Sequence, residues 1–241
     1  MEVNSSSLKS TARHAGLLYL IWIITGLFAL IYVPSKIMVK GDPVATANNI
    51  LAHEFLFRAS VVNDLISSTI WVVMVLVLYR MFKQVNERQA KLLLAFVFVQ
   101  IPVVFIMDAF NLTSLMILKG EILKTFELSQ RQDLAMLFLK INDYGTLTLE
   151  TFWGLWLFPL AILVYRSRFL PRFLGVWLII TGIFYVVLGI TSIMLPQYKD
   201  MVFKSPFALP AEIGEVALML WLLIMGAKVR EPEAQLTGAK T

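Results

Sequence analysis

Long apolar blocks alternate with short polar segments along this chain. A helix rising ~1.5 Å per residue needs ~20 mostly apolar residues to cross a ~30 Å hydrocarbon core. Six blocks meet that requirement: Ala15–Val33, Phe55–Tyr79, Leu92–Leu118, Tyr144–Tyr165, Phe173–Leu195 and Ala208–Gly226. The first follows Lys9 and Arg13, as the core of a signal peptide would. It is longer than the ~7–15 residues of such a core, and no small-x-small cleavage site follows it, so it reads as a retained helix. The pattern predicts an all-α integral membrane protein, a bundle of six transmembrane helices. Residues 1–14 are then a cytoplasmic N-terminal segment, 15–228 the membrane domain, and 229–241 a polar, disordered cytoplasmic tail.

Composition removes the alternatives. The 241 residues are 59% hydrophobic and 15% charged, with a mean hydropathy of +0.76. Soluble domains run at roughly 45–50% apolar and about 25% charged. A soluble globule of this size cannot hide so much apolar surface, and a disordered chain would not carry it. The absence of Cys rules out disulfides, thiolate metal sites and a Cys nucleophile. A net charge of +5 raises nucleic acid as a partner in a soluble protein. In a membrane protein the same charge collects on the cytoplasmic side, against anionic lipid.

Basic residues also set the direction. Arg80, Lys83, Arg88 and Lys91 crowd one short loop, and Arg166, Arg168 and Arg172 crowd another. Both loops share a side with the two termini if there are six spans. The positive-inside rule then places both termini in the cytoplasm and the protein in the inner (plasma) membrane. The outer segments are longer. Gly41-Asp42-Pro43 predicts a turn, with Asp42 as N-cap and Pro43 at the first position of an outer helix over Val44–His53. Lys119–Asp143 reads either as an interfacial amphipathic stretch or as an early start of the fourth helix. Gly175, Gly182 and Gly189, seven apart, predict a packing seam on helix five.

Acidic residues within the spans are the candidate chemistry, because ionisable groups are costly in hydrocarbon. At ~1.5 Å per residue, Asp64 and Asp108 lie ~14–15 Å below the outer surface, Glu215 ~10 Å, Glu150 ~9 Å and Glu212 ~6 Å. Four helices thus bring acids to the outer half. Their neighbours extend the polar surface: His53, Ser60 and Ser67 along the stripe of Asp64, Asn111 and Gln100 near Asp108, and Trp153 beyond Glu150. Arg58 can pair with Glu54 four residues away or serve as counter-charge to the acids. The expected ligand-binding pocket comprises His53, Arg58, Asp64, Asp108, Asn111, Glu150, Trp153, Glu212 and Glu215.

No HExxH, GxSxG, P-loop or GxGxxG motif is present. His14 and His53 fall on opposite faces of the membrane, so they cannot share a haem or zinc within one subunit. No catalytic residue, metal site or cofactor is therefore assigned. The leading expectation is binding or transport of a small cation, proton or polar ligand. A carboxylate- or metal-dependent intramembrane hydrolase is the alternative. A structural or sensory protein without chemistry is the third reading. Membrane lipid is the expected surrounding, nucleic acid is not a partner, and association into a homo-oligomer stays open.

Several segments carry a family resemblance. They are Ala12-Arg13-His14-Ala15-Gly16, Gly41-Asp42 with Thr46-Ala47-Asn48-Asn49-Ile50, and Glu54 to Arg58. The most specific is Glu150-Thr151-Phe152-Trp153-Gly154-Leu155-Trp156-Leu157-Phe158-Pro159. Ser167-Arg168-Phe169-Leu170-Pro171 and Leu174-Gly175 follow it. Over nearly its whole length the chain resembles a bacterial membrane family, domain-of-unknown-function family 4386. The resemblance implies a bacterial multi-pass protein without assigned activity. It points to Arg58, Asp64, Glu150 and Trp153.

Overall fold

A computed structural model describes residues 5–198, 201 and 208–228. The regular structure of these residues is helical throughout. Helix α1 (Ser5–Leu27) continues through a π-helical turn at Phe28–Tyr32 into α2 (Val33–Ile37). After α3 (Pro43–Ala52) come α4 (Glu54–Phe82), α5 (Glu87–Phe98), α6 (Ile101–Lys119), α7 (Leu128–Leu155), α8 (Leu157–Arg166) and α9 (Arg172–Met194). The last helix, α10 (Ala208–Leu220), ends in a second π turn at Trp221–Met225. The expected tail, 229–241, lies outside the described residues.

Local chemistry fixes the element ends. Gly41 takes a positive φ of 80° before α3, and the Asp42 carboxylate then accepts from the Ala45 N–H at 2.8 Å with Pro43 in the first turn. Asn86 caps α5 in the same way, accepting from Gln89 N–H. Glu127 and Gln130 close a capping box at the start of α7. The segment 119–143 is thus largely an early start of the fourth helix rather than a separate surface helix.

Prolines explain the breaks inside the long helices. A proline cannot donate to the carbonyl four residues earlier. Pro102 leaves Phe98 without its donor, and α5 stops there. Gln100 repairs part of the damage by donating its side-chain amide to Phe96 O at 2.7 Å. Pro159 similarly leaves Leu155 unserved, where α7 gives way to α8. Pro34 leaves Leu30 unserved, inside the π turn that follows α1. Apolar patterning shows continuous blocks at these places; the missing N–H divides them.

Five helical runs are long and apolar enough to cross a membrane: Ser7–Ile37, Glu54–Phe82, Glu87–Lys119, Leu128–Arg166 and Arg172–Met194. A shorter apolar helix, Ile213–Met225, follows them. Each run packs against its neighbours in sequence, and α10 closes the series by packing on both α9 and α1. The result is a ring of helices. Its outer surface is apolar: Ile24, Val62, Ile66, Ile106, Ile183 and Ile190 are all exposed. Soluble proteins rarely present so extensive an apolar surface. Cations lie over aromatic rings at both rims, Arg172 on Tyr165 and Lys228 on Trp221 at one end, Lys36 on Tyr32 and Lys140 on Tyr144 at the other. Such belts mark membrane–water boundaries.

Inside the ring, Tyr19, Trp22, Trp71 and Trp156 from three of the runs meet with centroids 5.0–6.2 Å apart. They fill the half nearer Arg80 and Arg166. At the opposite end α3 packs on α6 and α7, where Ala47 and Ile50 join a second core with Val33, Leu115 and Ala135.

The glycine seam on α9 meets the fourth run face to face. A Cβ on Gly175 would press on Ala161 O, one on Gly182 on Gly154 O, and one on Gly189 on Thr151. Backbone atoms stand 2.8–3.0 Å from each of these three Cβ positions, so neither helix can retreat cheaply. Gly154→Ala is expected to cost about 1–3 kcal/mol through overpacking. Gly26, with nothing within 4 Å of its virtual Cβ, is the control. Thermal melting in detergent should show a clear loss for Gly154→Ala and none for Gly26→Ala.

Candidate functional site

The acids of the spans separate into three places. The first lies between α4 and α6. Asp64 is half-buried and accepts from Asn63 Nδ2 at 3.3 Å. Asp108 is only 5% exposed. Its Oδ2 is buried with no hydrogen-bond partner among the described residues. The two carboxylates lie on helices that pack against each other. Asn111 stands one helical turn beyond Asp108, half-buried. The surrounding polar groups belong to α1 and α4: Thr25 donates to Ser67 Oγ at 2.9 Å, and Asn63 also donates to Thr25 O at 3.1 Å.

The second place is the seam between α7 and α9. Glu150 is buried there and accepts from Ser192 Oγ at 3.5 Å. Trp153, one turn further along, meets Tyr185 edge to face at 6.3 Å. The third place joins the ends of the ring. Tyr19 on α1 donates to Glu215 on α10 at 2.5 Å, and Tyr19 touches Trp156 of the aromatic cluster. Glu215 therefore sits deeper than Asp64. Tyr19 precedes Thr25, the level of Asn63 and Ser67, by about 9 Å along the helix. Helix lengths counted from loop boundaries could not show that offset.

Arg58 and His53 stand apart from these groups. Arg58 pairs with Glu54 at 2.8 Å, and Glu54 also receives Lys119 at 3.1 Å. That network ties the start of α4 to the end of α6 at the rim. It occupies Arg58, the cation nearest Asp64 along α4. His53 is an exposed N-cap of α4. Glu212 lies on α10, but its side chain is outside the described part of the structure. Gln100, on the face of Asp108 by spacing, is used to mend the helix break.

Some partners were not among the candidates read from sequence. Tyr19, Ser192, Asn63 and Tyr185 each contribute to an acid or its neighbour. Asn63 and Tyr19 carried a usable signal, as polar tips inside apolar runs. Ser192 and Tyr185 carried none, because their relevance depends on which helices adjoin.

No three His, Asp or Glu side chains converge as a metal site among the described residues. The arrangement is that of a helical membrane protein with buried carboxylates between its helices. A family model, "Domain of unknown function (DUF4386)", matches residues 14–226, and the chain belongs to that family. No curated protein and no solved structure matches it.

Removing the Tyr19 hydroxyl tests the deepest contact. Tyr19→Phe leaves Glu215 without its donor and is expected to cost about 1–3 kcal/mol. The same change in a Glu215→Gln background should cost less, by the coupling between two groups in contact. Detergent melting curves of the two single variants and the double variant measure both quantities.

Proposed function

We propose that this protein crosses the inner membrane of a bacterium six times, with both termini cytoplasmic, and binds a proton or small cation at Asp64 and Asp108. Several features support the topology. The helix from Ala208 through the π turn to Met225 packs between α1 and α9 like a sixth span. At ~1.5 Å per residue it reaches ~27 Å, close to the ~30 Å core. The basic loops at Arg80–Lys91 and Arg166–Arg172 lie at the same end as the start of α1, which favours that end as the cytoplasmic one.

The binding reading rests on one observation. A buried carboxylate oxygen on Asp108 has no hydrogen-bond partner among the described residues, and Asp64 brings a second carboxylate on the helix packed against it. Two adjacent carboxylates in a low-dielectric interior need a positive charge or a proton between them. Arg58 and Lys119 are spent on Glu54 and Glu121. A mobile cation or proton fills the need. Glu150 and Glu215 each hold a hydroxyl donor and contribute to helix pairing rather than to this pair. A metal-dependent hydrolase has less support, since it requires further ligands than two carboxylates.

The test compares wild type with Asp108→Asn in detergent. Melting is followed across pH and with added sodium, potassium, magnesium or calcium. Wild type is expected to respond to pH or to one of the cations, and the variant to lose that response. A bound cation at about a hundredfold its Kd adds about 2.7 kcal/mol. An identical response in folded Asp108→Asn would overturn the assignment.

A further inference from the structure

At the end opposite to α3, a groove of about 820 Å³ opens along α1 and the last turns of α4. A second hollow of about 530 Å³ flanks the same part of α1, and the two share His14 and Leu17. The antiparallel register of the two helices orders the groove. Trp22 stacks on Trp71 and Thr25 donates to Ser67. Continuing that register brings His14 level with Arg80, and Leu17 and Leu18 level with Val77. Ser7 and Gln84 then fall at the mouth. The groove is polar and cationic toward the rim and apolar toward the membrane interior.

Its charges are unanswered. Among the described residues no carboxylate pairs with Lys9, Arg13, His14 or Arg80. His14 donates Nδ1–H to Ser10 O at 2.8 Å, which orients its ring at the groove. Arg13 donates to Ile224 O at 3.2 Å, which holds the flanking hollow against the final π turn. A guanidinium with a planar set of donors suits a phosphate. The apolar floor beneath it suits a hydrocarbon chain.

We propose that this groove binds an anionic phospholipid. The phosphate lies against Arg80 at the rim, and an acyl chain lies on Leu17, Leu18, Val77 and Met81. A free phosphate would use the rim and leave the floor bare, so the two-part lining favours the lipid. Basic side chains in a pocket between helices, at the membrane boundary, are the chemistry that recognises such headgroups. The site uses none of the residues assigned to cation binding.

Native mass spectrometry of the full chain released from detergent gives the test. Phosphatidylglycerol and phosphatidylcholine with the same acyl chains are the probes, and inorganic phosphate is the competitor. Phosphatidylglycerol adducts are expected to dominate in wild type. Arg80→Gln should reduce that preference about fivefold, the usual worth of one basic residue at an anionic surface. Asp108→Asn should keep it, which separates this site from the carboxylate pair. Equal adducts of the two lipids, or an unchanged preference in folded Arg80→Gln, would overturn the proposal. Displacement of phosphatidylglycerol by inorganic phosphate would also overturn it, in favour of a soluble anion.

Discussion

Hydrocarbon offers no hydrogen bonds, and most of this structure follows from that. Every polar group inside the spans has to find its partner within the protein or bring an ion with it. Tyr19 with Glu215, Ser192 with Glu150, and Thr25 with Ser67 each answer the demand by joining two helices. The same demand shapes the backbone. Where Pro102 removes a donor, the helix ends and the Gln100 amide serves a freed carbonyl. Among the described residues a few buried polar atoms lack such a partner, Trp71 Nε1, Gln100 Oε1 and Trp221 Nε1 among them, and Asp108 Oδ2 is the one that belongs to a carboxylate.

Packing holds the ring closed. Between the fourth run and α9, glycines let backbone touch backbone at Gly154 and Gly182. Between α1 and the final π turn, Gly16 admits the backbone of Leu223 in the same way. Close approach at these seams gains dispersion energy that lipid alone would not supply. Large rings then fill the space that remains within. Tyr19, Trp22, Trp71 and Trp156 occupy the interior from three directions, so the half of the ring nearer the basic loops is plugged.

The two ends consequently differ in kind. The Asp64–Asp108 pair lies between the helices on the α3 side of the aromatic plug, while basic groups with no carboxylate partner among the described residues line the groove at the other rim. A cation or proton suits the first and a phosphate the second. The rim network of Arg58, Glu54 and Lys119 keeps basic charge out of the carboxylate pair by giving it another carboxylate. Separation of the two chemistries is thus built from side-chain pairing as well as from distance.

The helical membrane class was legible in the sequence, because an apolar run of sufficient length has few other destinations. The Asp42 cap before α3 and the glycine seam on α9 were equally legible, since each depends on local geometry or spacing. The helix breaks at Gln100 and Trp156 required reading proline four residues back. Which acids share a site was not legible: Asp64 and Asp108 adjoin because α4 packs on α6, whereas Glu150 turns to α9 and Glu215 to α1. Sequence determined that the chain is built of long apolar helices and which polar residues interrupt them. Tertiary structure alone decided their partners, because helix rotation and register depend on contacts between segments far apart in the chain.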